Sequence, residues 1–312
     1  METPGSPLER ISGAPLRERW LDLEARLRAM PNVLIGFSGG ADSALLAAAA
    51  RRVLGRARVK ACIAVGPSLP ARELREARAF AARLDIELSE YPATEFSNPA
   101  YVANGPDRCF HCKADLFAHL ARFAADAPPG SVLLYGGNLD DTSDYRPGRR
   151  AAAEAGARAP LAEAGLTKAD VRALSRALGL PTADKPAQPC LSSRIPYGQA
   201  VTPEKLAAVE AGEELLAALG FREFRLRHYA DPERGDLARL ELTTADRDAL
   251  LPEQRVKLAA DLRALGFARM EIDPGGFRPG NLNSVLTPEV RFGFGERTQV
   301  EDHKIPKPTP NP

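Results

Sequence analysis

Hydrophobic and polar positions follow two different periods along the first part of the chain. Short apolar runs predict strands, and stretches with an apolar residue at every third or fourth position predict helices. The predicted strands cover residues 33–37, 59–65, 86–91 and 131–136, and the predicted helices cover 16–27, 43–54, 70–84 and 113–125. Because strands and helices alternate, we predict an α/β fold in which a parallel sheet carries helices on both faces.

The pattern changes after about residue 200, where the strands become short and alternating. The elements predicted there are a helix over 203–219, strands over 223–228 and 237–242, a helix ending at 265 and a strand over 269–272. They indicate a smaller C-terminal α+β domain. The expected organisation is a flexible N-terminus over 1–14, an α/β domain over 15–200, the α+β domain over 201–290 and a disordered, proline-rich tail over 291–312.

The loop after the first predicted strand has the composition of a phosphate-binding loop. Its candidate residues are Ser38, Gly39, Gly40, Asp42 and Ser43. Glycines let the backbone approach a ligand, and the helix that follows directs unpaired N–H groups at an anion. No lysine follows the glycines, which excludes a Walker loop, and a dinucleotide-binding fingerprint is absent. The S-G-G-x-D-S pattern resembles the PP-loop of ATP pyrophosphatases, which predicts an ATP site; an ordinary strand-to-helix turn with Ser38 as N-cap is the alternative.

A second glycine-containing loop follows the fourth predicted strand. Gly137 permits close approach to the α-phosphate of ATP, and Asn138 and Asp141 are further candidates for binding the nucleotide. Three carboxylates fall within five residues here, and carboxylates can hold Mg²⁺ on triphosphate oxygens. Asp140 and Asp144 are the candidate Mg²⁺ ligands, and a solvated acidic loop is the alternative.

Three cysteines are candidates for chemistry. Cys109 and Cys112 form a C-x-x-C pair, and Cys190 lies in a separate segment. Three thiolates can hold a [4Fe–4S] cluster and leave one iron open for sulfide. A zinc site completed by His111, or three unmetallated thiols, are the alternatives. Cys62 falls inside an apolar strand and is expected in the core.

Arginines accompany the third cysteine and a predicted C-terminal strand. Arg194 follows Cys190 closely, and a nearby arginine is expected to lower a thiol pKa and to bind phosphate or carboxylate in a bidentate manner. Arg225 and Arg227 lie two residues apart, so both side chains leave the same face of their strand and can clamp a phosphate. A solvated strand face is the alternative for this pair.

Length and charge narrow the class of protein. A chain of 312 residues is expected to form about two domains. Lys and Arg number 42 against 41 Asp and Glu, so the whole molecule has no basic field that would attract nucleic acid. The sequence has no apolar signal-peptide core and no run of about 18 apolar residues, and we expect a cytoplasmic protein with no nucleic-acid or membrane partner.

Several segments taken together resemble the LarE family, ATP-dependent sulfur transferases that help make the nickel-pincer nucleotide of lactate racemase. These segments are 38–43, 98–101, 107–109, 138–148, 190–198, 225–228, 236–241 and 276–283, within a resemblance that covers about residues 15–285. The resemblance implies that ATP, with Mg²⁺, adenylates the carboxylates of pyridinium-3,5-biscarboxylic acid mononucleotide, which then become thiocarboxylates. It also implies a small-molecule nucleotide substrate, other cofactor-assembly proteins as possible partners, and a homo-oligomer, which is a hexamer in that family.

The resemblance also assigns roles to single residues. Cys190 either gives up its own sulfur and becomes dehydroalanine, or shares with Cys109 and Cys112 a cluster that delivers sulfide. Ser192 and Ser193, in the same motif, are assigned to substrate binding.

The same resemblance gives Arg194 a catalytic role and makes Arg225 and Arg227 ligands of the substrate. Glu213 and Glu241 match acidic positions of the family, where contacts to metal or to another subunit are possible.

One departure from the family pattern is an insertion at 229–234, which lengthens a hairpin. A tRNA thiolase of the same fold is the alternative function, and the balanced charge argues against it. Ammonia-using ligases of this fold have no use for three cysteines around one site.

Overall fold

The computed structural model describes residues 9–125, 127–142, 147–186, 188–278 and 281. Residues 1–8 of the expected flexible N-terminus, Asp144, and the expected tail over 291–312 lie outside these residues. Ile11, near the start of the described chain, is 2% exposed and packs among core residues. Ordered packing therefore begins before residue 15.

Four parallel strands form the sheet of the first unit. They are β1 (Val33–Gly36), β2 (Val59–Val65), β3 (Glu87–Pro92) and β4 (Val132–Tyr135), in the order β3-β2-β1-β4. The accompanying helices are α1 (Ala14–Arg28), α2 (Ala41–Leu54), α3 (Ala71–Arg83), α4 (Pro99–Val102), α5 (Arg108–Ala125), α6 (Pro147–Glu154), α7 (Pro160–Glu163) and α8 (Lys168–Ala177). The predicted parallel α/β fold is confirmed.

Helices cover both faces of this sheet. Ala61 and Ile63 of β2 pack in one apolar cluster with α1 and α2, whereas Cys62 between them packs in another cluster with α5. Successive side chains of a strand point to opposite faces, so the two clusters lie on opposite sides of the sheet. The central strand β1 is buried at every position, which is typical of a parallel sheet with two covered faces.

Helix α5 differs most from the sequence prediction. It begins at Arg108 rather than at Lys113, so Cys109 and Cys112 lie in its first turns. Apolar periodicity is weak over these residues, and the start is fixed by contacts that periodicity does not report. The Arg108 guanidinium, for example, donates to the side-chain carbonyl of Asn104. The short helices α6, α7 and α8 were also not predicted.

The second unit contains a three-stranded sheet of mixed direction. Its strands are β5 (Phe224–Tyr229), β6 (Leu237–Leu242) and β7 (Arg269–Ile272), and its helices are α9 (Pro203–Ala218), α10 (Thr244–Ala249) and α11 (Pro252–Ala264). β5 and β6 are antiparallel, and β6 and β7 are parallel. The expected smaller α+β unit is therefore present. None of the described helices combines the length and apolar character needed to cross a lipid bilayer.

Candidate active site

The phosphate loop joins the end of β1 to the start of α2. Gly39 has a φ of +72°, in the left-handed region that favours glycine. The hydroxyl of Ser43 donates to the carbonyl of Gly40 over 3.1 Å and lies 3.1 Å from the hydroxyl of Ser38. Among the described residues, no side chain caps the N-terminus of α2. The first backbone N–H groups of this helix are therefore available to an anion bound in the loop.

The end of β4 lies directly against the start of α2. A Cβ on Gly136 would be 2.6 Å from the backbone nitrogen of Ser43, so only glycine fits this contact. The side-chain amide of Asn138, a residue 1% exposed, donates to the carboxylate of Asp42 over 2.9 Å. Burial raises the pKa of Asp42, and the hydrogen bond from Asn138 opposes that rise. The phosphate loop and the loop after β4, which contains Gly137, therefore lie against each other and form one site.

The acidic residues of the second loop stabilise the loop itself. The carboxylate of Asp140 accepts a hydrogen bond over 2.8 Å from the backbone N–H of Lys168, at the start of α8. The carboxylate of Asp141 accepts one from the backbone N–H of Asn138 over 3.2 Å. The described residues contain no group of three or more His, Cys, Asp or Glu side chains placed to hold a metal ion. Asp140 therefore caps the start of α8, and its expected Mg²⁺ role stays a prediction.

The three candidate cysteines lie in one region of the molecule. Burial, followed by repulsion from Cys190, raises the pKa of Cys112 to about 12. Burial also raises the pKa of Cys109; the positive charge of Arg108 opposes this rise, and the thiol of Cys190 adds to it. Cys109 is nevertheless an exposed residue, whereas Cys112 and Cys190 are half-buried. Cys62, in contrast, is fully buried in the core, as expected.

These thiols only partly fit an iron–sulfur cluster. Three cysteines are the donor set that a cluster with one open iron requires. The geometry is not that of a formed ligand set, since no described residues form a metal-binding group. His111 accordingly does not complete a zinc site among the described residues; its ring lies 3.3 Å from the carboxylate of Asp107.

Arg194 is engaged by the protein rather than open to a ligand. Its side chain is 1% exposed and forms a bidentate ion pair with Glu213, with N–O distances of 2.8 and 2.9 Å. Its remaining nitrogen donates to the backbone carbonyls of Pro189 and Cys190 and to the hydroxyl of Ser193. The expectation that Arg194 grips substrate is thus corrected: the guanidinium fixes the backbone around Cys190.

Arg225 and Arg227 leave the same face of β5, and both are buried. Their exposed fractions are 9% and 6%, which excludes the solvated strand face. Arg227 forms a second bidentate pair, with Glu241, in which both N–O distances are 3.0 Å. Burial, followed by the positive charge of Arg194, lowers the pKa of Arg225 to about 10. Glu241 therefore already binds one of the two guanidinium groups that were expected to clamp a phosphate.

The arginine cluster, as we call Arg194, Glu213, Arg225, Arg227 and Glu241, has three guanidinium groups and two carboxylates. These five side chains together carry one positive charge in a region with little access to water. Guanidinium groups bind phosphate and carboxylate through charge-assisted hydrogen bonds, so a cluster of this composition suits an anion placed beside it.

The two serines of the Cys190 motif differ in position. Ser192 is fully buried, and its hydroxyl lies 2.6 Å from the hydroxyl of Tyr101. Its backbone carbonyl accepts a hydrogen bond over 2.8 Å from Arg108, which is itself 2% exposed. Ser192 is therefore a structural residue in this state and not the substrate ligand expected. Ser193 is half-buried, and its backbone carbonyl accepts a hydrogen bond from Arg227.

Lys185 belongs to the site although the sequence pattern gave it no role. Its ammonium group donates to the carbonyl of Gly39 over 3.3 Å and lies 2.7 Å from the carboxylate of Glu73 and 2.8 Å from that of Glu76. Its side chain is 12% exposed. Gly39 and Glu73 lie 146 and 112 residues away in sequence, so no local signal could have identified this lysine.

Comparison with known proteins agrees with this site. Residues 17–104, which include the phosphate loop, match the protein family described as NAD synthase. An uncharacterized protein from Synechocystis sp. is 41% identical over 259 residues, 83% of this chain and 94% of that protein. The pyridinium-3,5-bisthiocarboxylic acid mononucleotide synthase of Lactiplantibacillus plantarum is 37% identical over 276 residues, 88% of this chain and 97% of that protein. A protein from Methanocaldococcus jannaschii is 27% identical over 198 residues.

The second of these relatives is aligned almost from end to end, and the similarity includes both halves of the site. An ATP-binding loop and a set of cysteines on one chain are the two parts that activation of an acid and transfer of sulfur require. The chain therefore belongs to the LarE family of PP-loop enzymes and is an ATP-dependent sulfurtransferase.

Proposed function

We propose that this enzyme adenylates the carboxylates of pyridinium-3,5-biscarboxylic acid mononucleotide and converts them to thiocarboxylates, for the nickel-pincer cofactor of lactate racemase. The observation that carries the proposal is the position of the Cys190 segment. Lys185 attaches it to the phosphate loop, and Arg194 attaches it to the arginine cluster. Cys190 is five positions after Lys185, a span of at most about 18 Å. This short span supports a single site for the activating and sulfur-bearing groups.

The first step makes an unreactive acid reactive. A substrate carboxylate oxygen attacks the α-phosphorus of ATP, the bond to the β-phosphate oxygen breaks, and pyrophosphate leaves. The uncapped N–H groups of α2 and the turn at Gly39 support binding of that pyrophosphate. Ser38, Gly40, Asp42, Ser43, Gly137, Asn138 and Asp141 complete the proposed ATP site. Mg²⁺ would supply charge neutralisation at the phosphates, with Asp140 and Asp144 as its proposed ligands.

In the second step, sulfur replaces the adenylate. The thiolate of Cys190 attacks the acyl carbon, and AMP leaves with the bonding electrons. Removal of the Cα proton of Cys190 then breaks its Cβ–S bond, which leaves dehydroalanine in the chain and a thiocarboxylate on the product. A [4Fe–4S] cluster held by Cys109, Cys112 and Cys190 is the other proposed sulfur source. In the described structure these three thiols do not form a ligand group, so they would have to move closer together to hold the cluster.

The arginine cluster suits the other end of the substrate. A mononucleotide phosphate carries negative charge, and the cluster offers one net positive charge on buried side chains. We assign Arg225 and Arg227 to that phosphate, as two buried guanidinium groups on one face of β5. Ser193, whose backbone carbonyl accepts a hydrogen bond from Arg227, is the further proposed ligand.

We further propose that the protein is a cytoplasmic homo-oligomer, hexameric as the resemblance implies, and that other cofactor-assembly proteins are its partners. Its proposed domains cover residues 15–200 and 201–290. Light scattering coupled to size-exclusion chromatography tests the oligomeric state.

The function is tested by turnover of the anaerobically purified enzyme with ATP, Mg²⁺ and the biscarboxylated nucleotide. We expect pyrophosphate release that depends on this nucleotide, and a product heavier by one sulfur-for-oxygen exchange. The Cys190→Ser variant should still release pyrophosphate but form no thiocarboxylate. Absence of pyrophosphate release with this substrate, together with thiolation of tRNA, would show that the enzyme is a tRNA thiolase instead.

The same experiment decides the source of sulfur. An iron count and an absorption spectrum before turnover report the cluster, and the intact mass of the protein after turnover reports the cysteine. Loss of the mass of H₂S from Cys190 indicates the sacrificial route. An unchanged mass with bound iron indicates the cluster.

A further inference from the structure

The segment that carries Cys190 is attached on both sides to the part of the protein that binds ATP. Before the cysteine, Lys185 contacts the phosphate loop at Gly39. After it, the backbone N–H of Leu191 donates over 2.9 Å to the carbonyl of Ser68, in the loop that precedes α3. Cys190 thus lies between these two anchors, and Arg194 holds its carbonyl as well. Of these three contacts, that of Lys185 is the one made to the phosphate loop.

The contacts of Lys185 leave its ammonium group no spare hydrogen. An ammonium has three donors, and three oxygens surround this one: the Gly39 carbonyl and the carboxylates of Glu73 and Glu76. Helix α3 also packs against the glycine itself, since a Cβ on Gly39 would lie 3.4 Å from Cβ of Ala77. The lysine therefore cannot shift toward a new partner without giving up one of these contacts.

Charge gives a reason for such a shift. Glu73 and Glu76 share the ammonium group of Lys185, and Arg72 also pairs with Glu76 over 2.9 Å, so these four side chains are neutral together beside a loop that receives the polyphosphate of ATP. A bound polyphosphate repels Glu73 and Glu76 and attracts Lys185, and both effects act at short range in a site where the lysine is 12% exposed. Lys185 precedes Cys190 by only five positions, so a shift of the lysine strains the short chain between them against the anchor at Leu191 and changes how Cys190 is presented.

We propose that Lys185 is a positioning residue that couples occupation of the phosphate loop by ATP to the position of Cys190. The coupling would bring the sulfur-bearing segment into its working position only when the activating nucleotide is bound. This inference rests on the proposed role of Cys190 in sulfur transfer. Lys185 contacts the phosphate loop at Gly39 and does not itself attack the substrate.

The test measures the rate at which iodoacetamide alkylates Cys190, with and without saturating Mg²⁺ and α,β-methylene-ATP, which resists cleavage between its α- and β-phosphates. Peptide mass spectrometry separates Cys190 from Cys109 and Cys112. Cys62 is 0% exposed and serves as an internal control, because it reacts only if the protein unfolds. In the wild type we expect the nucleotide to change the Cys190 rate by about fivefold, at the lower end of typical coupling between sites.

The Lys185→Met variant should bind the nucleotide but lose this change, so that the two rates become equal. Lys185→Arg keeps the charge and should retain part of the effect. Lys257→Met is the matched control, because Lys257 pairs with Asp261 at the surface with 77% of its side chain exposed, and it should behave as the wild type. If Lys185→Met unfolds, Glu76→Gln removes one partner only and should reduce the nucleotide effect.

Two results would overturn the inference. One is a folded Lys185→Met, or a Glu76→Gln, that keeps the full nucleotide effect on Cys190. The other is a wild type that binds the nucleotide with no change in the Cys190 rate. Neither measurement uses the pyridinium nucleotide or turnover, so this inference and the proposed function can fail separately.

Discussion

The two loops of the ATP site fit together because one residue at their contact has no side chain. Gly136 directly follows β4, where any Cβ would overlap the backbone of Ser43 at the start of α2. Two residues later, Asn138 donates a hydrogen bond to the half-buried carboxylate of Asp42. Single residues therefore determine how closely β4 and α2 approach each other.

Replacing Gly136 with alanine should separate these loops. We expect the free energy of unfolding to fall by about 1–3 kcal/mol, as for other overpacked sites, and the Kd for ATP to rise. Gly36→Ala is the matched control, because its Cβ would lie 3.4 Å from Leu116, an ordinary contact. Urea denaturation and calorimetric titration measure both quantities. Equal losses in the two variants would contradict the steric argument.

His228 should make stability depend on pH. It is 3% exposed in β5, and burial lowers its pKa although the carboxylate of Asp236, 3.0 Å away, opposes this. A histidine whose pKa is depressed in the folded state stabilises the protein above its unfolded pKa of about 6.5 and loses that contribution as the pH falls. The free energy of unfolding, measured by urea denaturation, should therefore drop more steeply from pH 7 to pH 5 in the wild type than in His228→Gln. Parallel pH curves for the two proteins would contradict the role of His228.

Ion pairs connect the elements around the Cys190 segment. Glu213 of α9 holds Arg194, and Glu241 of β6 holds Arg227 of β5. Both pairs are bidentate and almost inaccessible to water. Breaking such a pair leaves a buried charge without its partner, which costs far more than breaking a pair at the surface.

The Arg227→Met variant should be destabilised by about 3–5 kcal/mol, because Glu241, 2% exposed, is left unpaired. The double variant Arg227→Met/Glu241→Leu should recover much of that loss and still bind substrate poorly. Arg239→Met, which removes a half-exposed pair with Glu271, should cost less than about 1 kcal/mol. Urea denaturation tests the series, and a double variant no more stable than Arg227→Met would contradict the argument.

At the same scale, prediction from sequence worked where periodicity was strong. The strands of both sheets were placed within two residues, because short apolar or alternating runs identify them. The start of α5 was placed too late, and this displaced Cys109 and Cys112 from a helix into a loop. The first turn of α5 is stabilised by the buried contacts of Arg108, which a periodicity argument cannot detect.

The whole molecule has two sheets whose cores are not fully separate. The cluster of the second unit contains residues that precede the proposed boundary at 201, namely Tyr101, Leu191 and Ile195. Each is no more than 1% exposed. A backbone hydrogen bond also crosses this boundary, from the N–H of Val201 to the carbonyl of Val102. The Cys190 segment thus joins the two units and depends on both.

A fragment over 201–290 should not fold stably by itself, because it lacks these three core residues. A longer fragment over 188–290 regains Leu191 and Ile195 and should be more stable, although below the full chain. Circular dichroism during urea titration distinguishes the three proteins. Cooperative unfolding of the shorter fragment at the urea concentration that unfolds the full chain would contradict a shared core.

The sequence by itself determined three local features: the phosphate-binding loop at Gly39, the position of Arg225 and Arg227 on one face of a strand, and the core position of Cys62. These features depend on neighbours within a few residues, which local composition and period report. Only the tertiary structure determined that Arg194 forms an ion pair with Glu213 and that Lys185 contacts the phosphate loop. Their partners are distant in sequence, and a long charged side chain takes its role from whichever opposite charge the fold places beside it.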